Sequence, residues 1–318
     1  MTRVFVYEYT CAAPPASLQA GGAASLSVEG EAMLRAVLDD FQRVAGVDAF
    51  TIRSVDKEEQ ALREAVRHAD WSMIIAPESD DILLTRCRWV LEERGQLLGP
   101  SPDAVALCGD KLATCRWLLR HGIPTPPTTL LAENAIVNAS GSYVLKPRFG
   151  AGCQDTTIIR SAEPNSRGAS NRPFIIQPWI AGRAASIACL VSDRDVIPLL
   201  PGEQQIAIVD NQVEYRGGRI PLIPESAQRA ERLGMQVVRS IPGLFGYIGV
   251  DLVLGDDGRD WVIEVNPRLT TSYVGLRALC ESNLAELLLC LAEKREPPPV
   301  HWRAKTVEFA PDGKTKLV

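Results

Sequence analysis

The sequence predicts an α/β protein. Its N-terminal third reads as an open parallel sheet, and the rest mixes helices with antiparallel strands. Three observations predict this. Strand-like and helix-like patterns alternate from Arg3 to Ala76. A glycine–proline break, Gly99-Pro100-Ser101-Pro102, ends that alternation. Beyond it, strand-like runs come in neighbouring pairs around glycine turns, as antiparallel hairpins do.

The first strand is Arg3–Glu8, centred on Val4-Phe5-Val6-Tyr7. A Pro/Gly/Ser/Ala loop follows through Ser27. Leu34, Val37, Leu38 and Phe41 then recur at i, i+3, i+4 and i+7, which predicts an amphipathic helix. Val47–Ile52 is a second strand, Lys57–His68 a second helix and Trp71–Ala76 a third strand. Strand–helix–strand–helix–strand implies a parallel sheet with helices packed on it. Ligands of such sheets sit beyond the carboxyl ends of the strands. That rim presents Glu8 or Tyr9, Ser25–Gly30 and Pro77–Asp81. Glu29 and Glu78 lie there, either as grips for a substrate ammonium or as solvated loop acids.

After the break, Asp110 caps a helix carrying Leu112, Cys115, Leu118 and Leu119, which Gly122 and Pro124 end. Lys111 takes the first helical position, where the dipole disfavours a cation. A bound anion would explain it, and so would the charge of Asp110 beside it. Ser142–Pro147 is a strand with Lys146 near its end. The turn Phe149-Gly150-Ala151-Gly152-Cys153 leads to a strand at Thr156–Arg160. Such a flap can cover phosphates with backbone N–H groups while the lysine pairs with them. Asp155 replaces the third glycine of a dinucleotide fingerprint, and no G-x-x-x-x-G-K-[ST] loop exists.

Ser161–Arg172 reads as a polar loop, Phe174–Gln177 as a strand and Pro178-Trp179-Ile180 as a hinge. Ala184–Val191 and Arg194–Leu200 resemble paired strands. Tyr215-Arg216-Gly217-Gly218-Arg219 reads as a basic glycine loop, a plain turn or a clamp over phosphates or substrate. Pro224–Arg239 is a helix with proline in its first turn, and Asn283–Leu291 a helix capped by Asn283. The residues after the proline-rich Glu296–Val300 stretch look peripheral.

Ile248–Thr271 organises the chain. Two apolar runs flank Asp257-Gly258, a strong hairpin signal. Centring the turn there puts Asp256 opposite Arg259, Leu254 opposite Trp261, Leu252 opposite Ile263 and Asp251 opposite Glu264. Asn266 then projects from the Glu264 face, roughly 6.5 Å along the strand. Like charges directly opposite destabilise a sheet. A hard divalent cation between them removes the conflict, because Mg²⁺ takes one or two carboxylates plus phosphates. The alternative is a buried ion network in which Arg268 or another base neutralises the pair.

The 318 residues suffice for two or three domains. Net charge is −5, which argues against bulk affinity for nucleic acid or an anionic membrane. Eight cysteines without a C-x-x-C pair read as reduced and mostly buried, as in a cytoplasmic protein. Three scattered histidines offer no zinc motif, and no Ser-His-Asp arrangement is apparent. The start is neither a signal peptide nor a membrane span. A homo-oligomer is compatible with all of this.

The ordered set Asp110-Lys111, Leu145-Lys146-Pro147 with Gly150-Ala151-Gly152, Gln177–Ile180, Gly249-Val250-Asp251 and Glu264–Arg268 resembles the ATP-grasp superfamily. The resemblance runs from Ser101 to about Leu291 and implies an N-terminal α/β substrate domain (1–100), a central lid (101–178) and a C-terminal subdomain with a metal site (179–318). It implies that Lys111, Lys146, Gly150 and Gly152 bind ATP phosphates and that Gln177, Trp179 and Ile180 hold adenine. Asp251, Glu264 and Asn266 would bind Mg²⁺ or Mn²⁺, with Arg268 and Lys146 catalytic. Where this family often has an acidic ribose ligand, the chain has Ala184-Ala185-Ser186.

Within the superfamily, Tyr7-Glu8-Tyr9, Ser25-Leu26 with Glu29-Gly30, Ala76-Pro77-Glu78 and the string from Asn266 to Gly275 are similar to tyramine–glutamate ligases and their bacterial relatives. That resemblance implies an ADP-forming carboxylate–amine ligase acting through an acyl phosphate. It would join glutamate to a tyramine-like or tyrosine-like amine in making a methanofuran-type one-carbon carrier. By charge complementarity alone, Arg216 or Arg268 would hold the carboxylate substrate. A ligase of other amino acids, an ATP-binding regulator without turnover and, by the first segment alone, a nicotinamide enzyme are the competing expectations.

Overall fold

The computed structural model of the chain describes residues 1–12, 23–131, 141–160 and 172–318. It opens with three parallel strands, β1 (Thr2–Glu8), β2 (Val47–Phe50) and β3 (Trp71–Ile75), in the order β2-β1-β3. Val4, Phe5, Val6 and Tyr7 have no exposed surface, because both faces of β1 are covered. Val4 and Val6 face helix α2 (Ala23–Gln42) through Leu34, Val37 and Phe41. Phe5 and Tyr7 face α3 (Glu58–Arg67) and α4 (Ile82–Glu92) through Leu62, Val66, Leu83 and Val90. The one-turn helix α1 (Tyr9–Ala12) follows β1.

Two short helices come next, α5 (Pro102–Gly109) and α6 (Lys111–Arg120). Ser101 caps α5 and Asp110 caps α6. The Gly99–Pro102 break is therefore also a helix start, with proline at the first position. Strands β4 (Thr129–Leu130), β5 (Ser142–Pro147), β6 (Thr157–Arg160) and β7 (Phe174–Pro178) form an antiparallel group in the order β6-β5-β7-β4.

The last part is built on β8 (Arg183–Val191), β9 (Val196–Pro198), β10 (Gly202–Val209), β11 (Gln212–Ile220), β12 (Gly246–Leu254) and β13 (Asp260–Asn266). Their order is β13-β12-β8-β10-β11, with β9 beside β8. A single pairing, Gln212 with Thr157, links this group to β6. Helix α7 (Pro224–Ser240) packs on β8, where Gly234 meets Ile187. Helices α8 (Ser272–Leu279) and α9 (Leu284–Ala292) join the α2 face of the first sheet in one core.

Several expectations change. Most of the loop before Ser27 and nearly all of Ser161–Arg172 lie outside the described residues. Ser25–Gly30 is not loop but the first turns of α2, where Ala23, Ala24 and Leu26 favour helix. Tyr215–Arg219 is not a loop but part of β11. The C-terminal residues are not peripheral throughout: β14 (Val307–Phe309) pairs with β11 and with β15 (Thr315–Leu317), and Val307 is fully buried.

The glycines of β11 belong to that last pairing. Gly217 has φ +106°, and a Cβ there would lie 2.0 Å from the Phe309 carbonyl oxygen. Gly217→Ala is thus expected to cost on the order of 2 kcal/mol in chemical denaturation, by backbone strain plus displacement of β14. No helix among the described residues is long and apolar enough to cross a membrane. Six of the eight cysteines are buried.

Candidate active site

The β12–β13 hairpin differs from the expected one in two ways that cancel. Only Gly258 of the central pair has positive φ, so the turn is not a two-residue one. It is a longer loop in which Gly255 N–H donates to the Arg259 carbonyl, 2.9 Å, and Asp257 Oδ1 accepts from Arg259 N–H. Next to the loop Leu254 pairs with Asp260, Val253 with Trp261 and Leu252 with Val262, one residue off the expected register. A bulge between Asp251 and Leu252 absorbs the difference and sets Asp251 opposite Glu264 after all.

Around that pair the side chains interlock. Asn266 Nδ2 donates to Asp251 Oδ2 at 2.9 Å, and Gln204 Nε2 on β10 donates to Asp251 Oδ1 at 2.8 Å. Burial, and then the charge of Glu264, pushes the Asp251 carboxyl up to about 6. Burial alone would raise Glu264 too, but the Lys111 and Lys146 ammonium groups outweigh it and hold Glu264 below the ordinary glutamate value. Lys111 Nζ sits 2.9 Å from Glu264 Oε1 and donates to the Gly150 carbonyl at 2.6 Å. Lys146 is 5% exposed; burial lowers its pKa, Glu264 opposes that and Lys111 adds to it.

The lysine at the start of α6 thus reaches across to the flap and to β13. Its helix is capped independently: Asp110 accepts from Leu112 and Ala113 N–H and is gripped by Arg148. The expected ion network is half realised, since a lysine meets Glu264 while Arg268 does not meet the pair.

All of this faces one cavity of about 460 Å³ between the β5–β7 strands and the β8–β13 strands of the same sheet. Lys111, Lys146, Gly150 and Gly152 line it, as do Asp251, Glu264, Asn266 and Arg268. Gln177, Trp179 and Ile180 line it too, and so does Glu29. The Gln177 amide is tied to the Thr128 hydroxyl at 2.7 Å, which fixes the strand before the hinge.

Two expected residues are placed elsewhere. Arg216 is on the exposed side of β11, bonded to Glu214 at 2.9 Å, because strand alternation turns it away from its cavity-lining neighbour Tyr215. Glu78 does not line the cavity. Its side chain is 3% exposed and forms a two-point pair with Arg268, Oε1 to Nε at 2.9 Å and Oε2 to Nη2 at 3.1 Å. It therefore orients the arginine instead of standing ready for an ammonium.

The sequence reading missed Gln204 and Glu203 on β10; Tyr215, read only as part of a possible clamp, and Thr271, read only within the Asn266–Gly275 string, line the cavity as they do. Glu203 pairs across the sheet with Ala185, beside the position where an acid was missing from β8. No spacing within the chain signals this, since the two strands meet only in the fold.

The donor set suits a hard cation. Among the described residues no three His, Cys, Asp or Glu side chains are placed to hold a metal ion together, so a cation here would rest on two carboxylates and a carboxamide. Buried oxygen ligands with like charges opposed are what Mg²⁺ with phosphates accepts.

The ATP-grasp domain family matches residues 108–272, and the pre-ATP-grasp 3 domain family matches residues 33–105. Tyramine–L-glutamate ligase of Methanocaldococcus jannaschii is 25% identical over 277 residues, spanning 86% of this chain and 79% of the relative. D-alanine–D-alanine ligase of Synechococcus is 26% identical over 239 residues, 68% of this chain and 71% of the relative. An ATP-grasp superfamily protein from Archaeoglobus fulgidus superposes with TM-score 0.72 at 25% identity, covering 97% of this chain and 92% of that one.

Proposed function

This chain belongs to the ATP-grasp family, and from that premise we propose that it is an ADP-forming carboxylate–amine ligase that joins glutamate to a tyramine-like or tyrosine-like amine. One observation carries the reading: two lysines and an arginine face two carboxylates and a carboxamide inside one cavity. The similarity to tyramine–L-glutamate ligase supports these substrate classes, and we extend the reading to a role in making methanofuran-type cofactors. The domains would divide near residues 100 and 178, and the enzyme would work in the cytoplasm.

The substrate carboxylate attacks the γ-phosphorus of ATP, and ADP leaves. The amine then attacks the acyl carbon and expels phosphate. No side-chain nucleophile is required. Lys146 and Lys111 neutralise phosphate oxygens, and Arg268 steadies the charge that builds on the transferring group. The Gly150–Gly152 flap covers the phosphates with backbone N–H groups and keeps water from the acyl phosphate. Gln177, Trp179 and Ile180 hold adenine, and Glu203 supplies the ribose ligand that β8 lacks. Mg²⁺ or Mn²⁺ held by Asp251, Glu264 and Asn266 would neutralise charge on the phosphates.

The test is ADP release from ATP with glutamate and a panel of amines, read together with product mass. Release that needs both substrates, with an amide product, is the expected result. ATP binding without release under any pairing would leave an ATP-binding regulator instead. The D-alanine–D-alanine ligase similarity favours amino-acid acceptors as the second reading, so a dipeptide product in the same panel would select it.

A further inference from the structure

We propose that Glu29 receives the acceptor's ammonium and takes the proton that must leave before the nitrogen can attack; this rests on the ligase reading above. Glu29 lies in α2, is 8% exposed and lines the cavity. Its Oε2 accepts the Thr271 hydroxyl at 3.0 Å. Thr271 is three residues beyond Arg268, so the carboxylate is fixed beside the loop that carries the arginine. The charges of Glu78, Glu264 and Glu29 all act on Arg268, and Glu29 is the foremost charge acting on the Tyr215 phenol. Arg268, Thr271 and Tyr215 line the same cavity as Glu29. One turn earlier, Leu26 closes this end against the flap: a Cβ on Gly152 would sit 2.9 Å from Leu26 Cδ2.

Glu78 grips Arg268, Asp251 is bonded by Gln204 and Asn266, and Glu264 by Lys111. An alkylamine is an ammonium ion at neutral pH and has no lone pair to attack with. It needs a base within hydrogen-bond reach. Ile206, Val213 and Tyr215 also line this cavity, and Glu29 itself is buried. Moving the proton from ammonium to a buried carboxylate removes two charges at once, which burial favours. The freed nitrogen attacks the acyl carbon, the C–N bond forms and the C–O bond to phosphate breaks. Phosphate leaves with that electron pair and takes the second nitrogen-bound proton. Glu29 returns the first proton to solvent.

Hydroxylamine separates this role from any other, because it is largely neutral at pH 7 and needs no base. Wild-type protein with ATP, glutamate and hydroxylamine should yield a hydroxamate. Glu29→Gln should keep hydroxamate formation within about threefold while amide formation with tyramine, or with the amine the panel identifies, falls at least ~100-fold. Equal loss of both products, or loss of neither, overturns the role of Glu29. Absence of hydroxamate from the wild type overturns the ligase reading itself, and the proposal with it. Should Glu29→Gln not fold, Glu29→Asp carries the same comparison. It should lower the amide by about tenfold or more with the hydroxamate unchanged, and an equal loss in both again overturns the proposal.

Discussion

Asp251→Asn is expected to lower amide-forming turnover by about 10³-fold and, in a chelator without nucleotide, to raise the melting temperature. The first effect follows from losing one of two carboxylates that can hold a cation against the phosphates. The second follows from what the carboxylate costs when it stands alone. Burial and Glu264 push its carboxyl from 3.8 to about 6. An acid whose pKa rises on folding destabilises the fold above its unfolded pKa. The penalty is absent below about pH 4, builds toward pH 6 and reaches up to about 3 kcal/mol above it. Asparagine removes that penalty. Its single oxygen can satisfy only one of the two donors, Gln204 or Asn266, and the other amide can turn over to meet the new NH₂ group. The gap in melting temperature between variant and wild type should therefore be wide at pH 7 to 8 and close toward pH 4. A variant that loses turnover and melts lower at pH 7 would make Asp251 a structural residue.

Legibility in the sequence followed the range of the interactions. The first sheet was readable because each element carries its own period: a continuous apolar run for a strand covered on both faces, and i, i+3, i+4, i+7 for the helices. The facing of Asp251 and Glu264 was readable in outcome but not in cause. A turn of unexpected length and a bulge offset each other, and neither leaves a mark in residue spacing. Helix α8 went unread because Ser272–Leu279 is buried nearly all round, so it shows no polar face to set a period. Arg216 and Glu78 were assigned by charge alone, and charge does not tell a residue's partner. Arg216 is answered by its neighbour Glu214, whereas Glu78 is answered by an arginine 190 positions away. Gln204 and Glu203 line the cavity from a strand whose neighbours, β8 and β11, are decided by topology.

The Arg268–Glu78 pair separates stability from catalysis. Both side chains are nearly enclosed, 11% and 3% exposed. Arg268→Met leaves a buried carboxylate without its cation, and Glu78→Met leaves the guanidinium without its anion. Each should cost about 3–5 kcal/mol in denaturation experiments. The double variant Arg268→Met/Glu78→Met removes both charges at once, and apolar groups of similar length fill the space. It should regain most of the lost stability, so the two costs do not add. Turnover should not return with it. Arg268 also faces the cavity, and loss of its charge should leave kcat about 10²–10³ lower in the stable double variant as in the single one. Glu78 does not line the cavity, so Glu78→Gln should affect turnover only through the arginine it aims, lowering kcat with little change in the KM for amine. A rise in the amine KM at unchanged kcat would instead put Glu78 on the substrate. Recovery of activity along with stability in the double variant would mean that the arginine only braces the junction between β13 and the loop after β3.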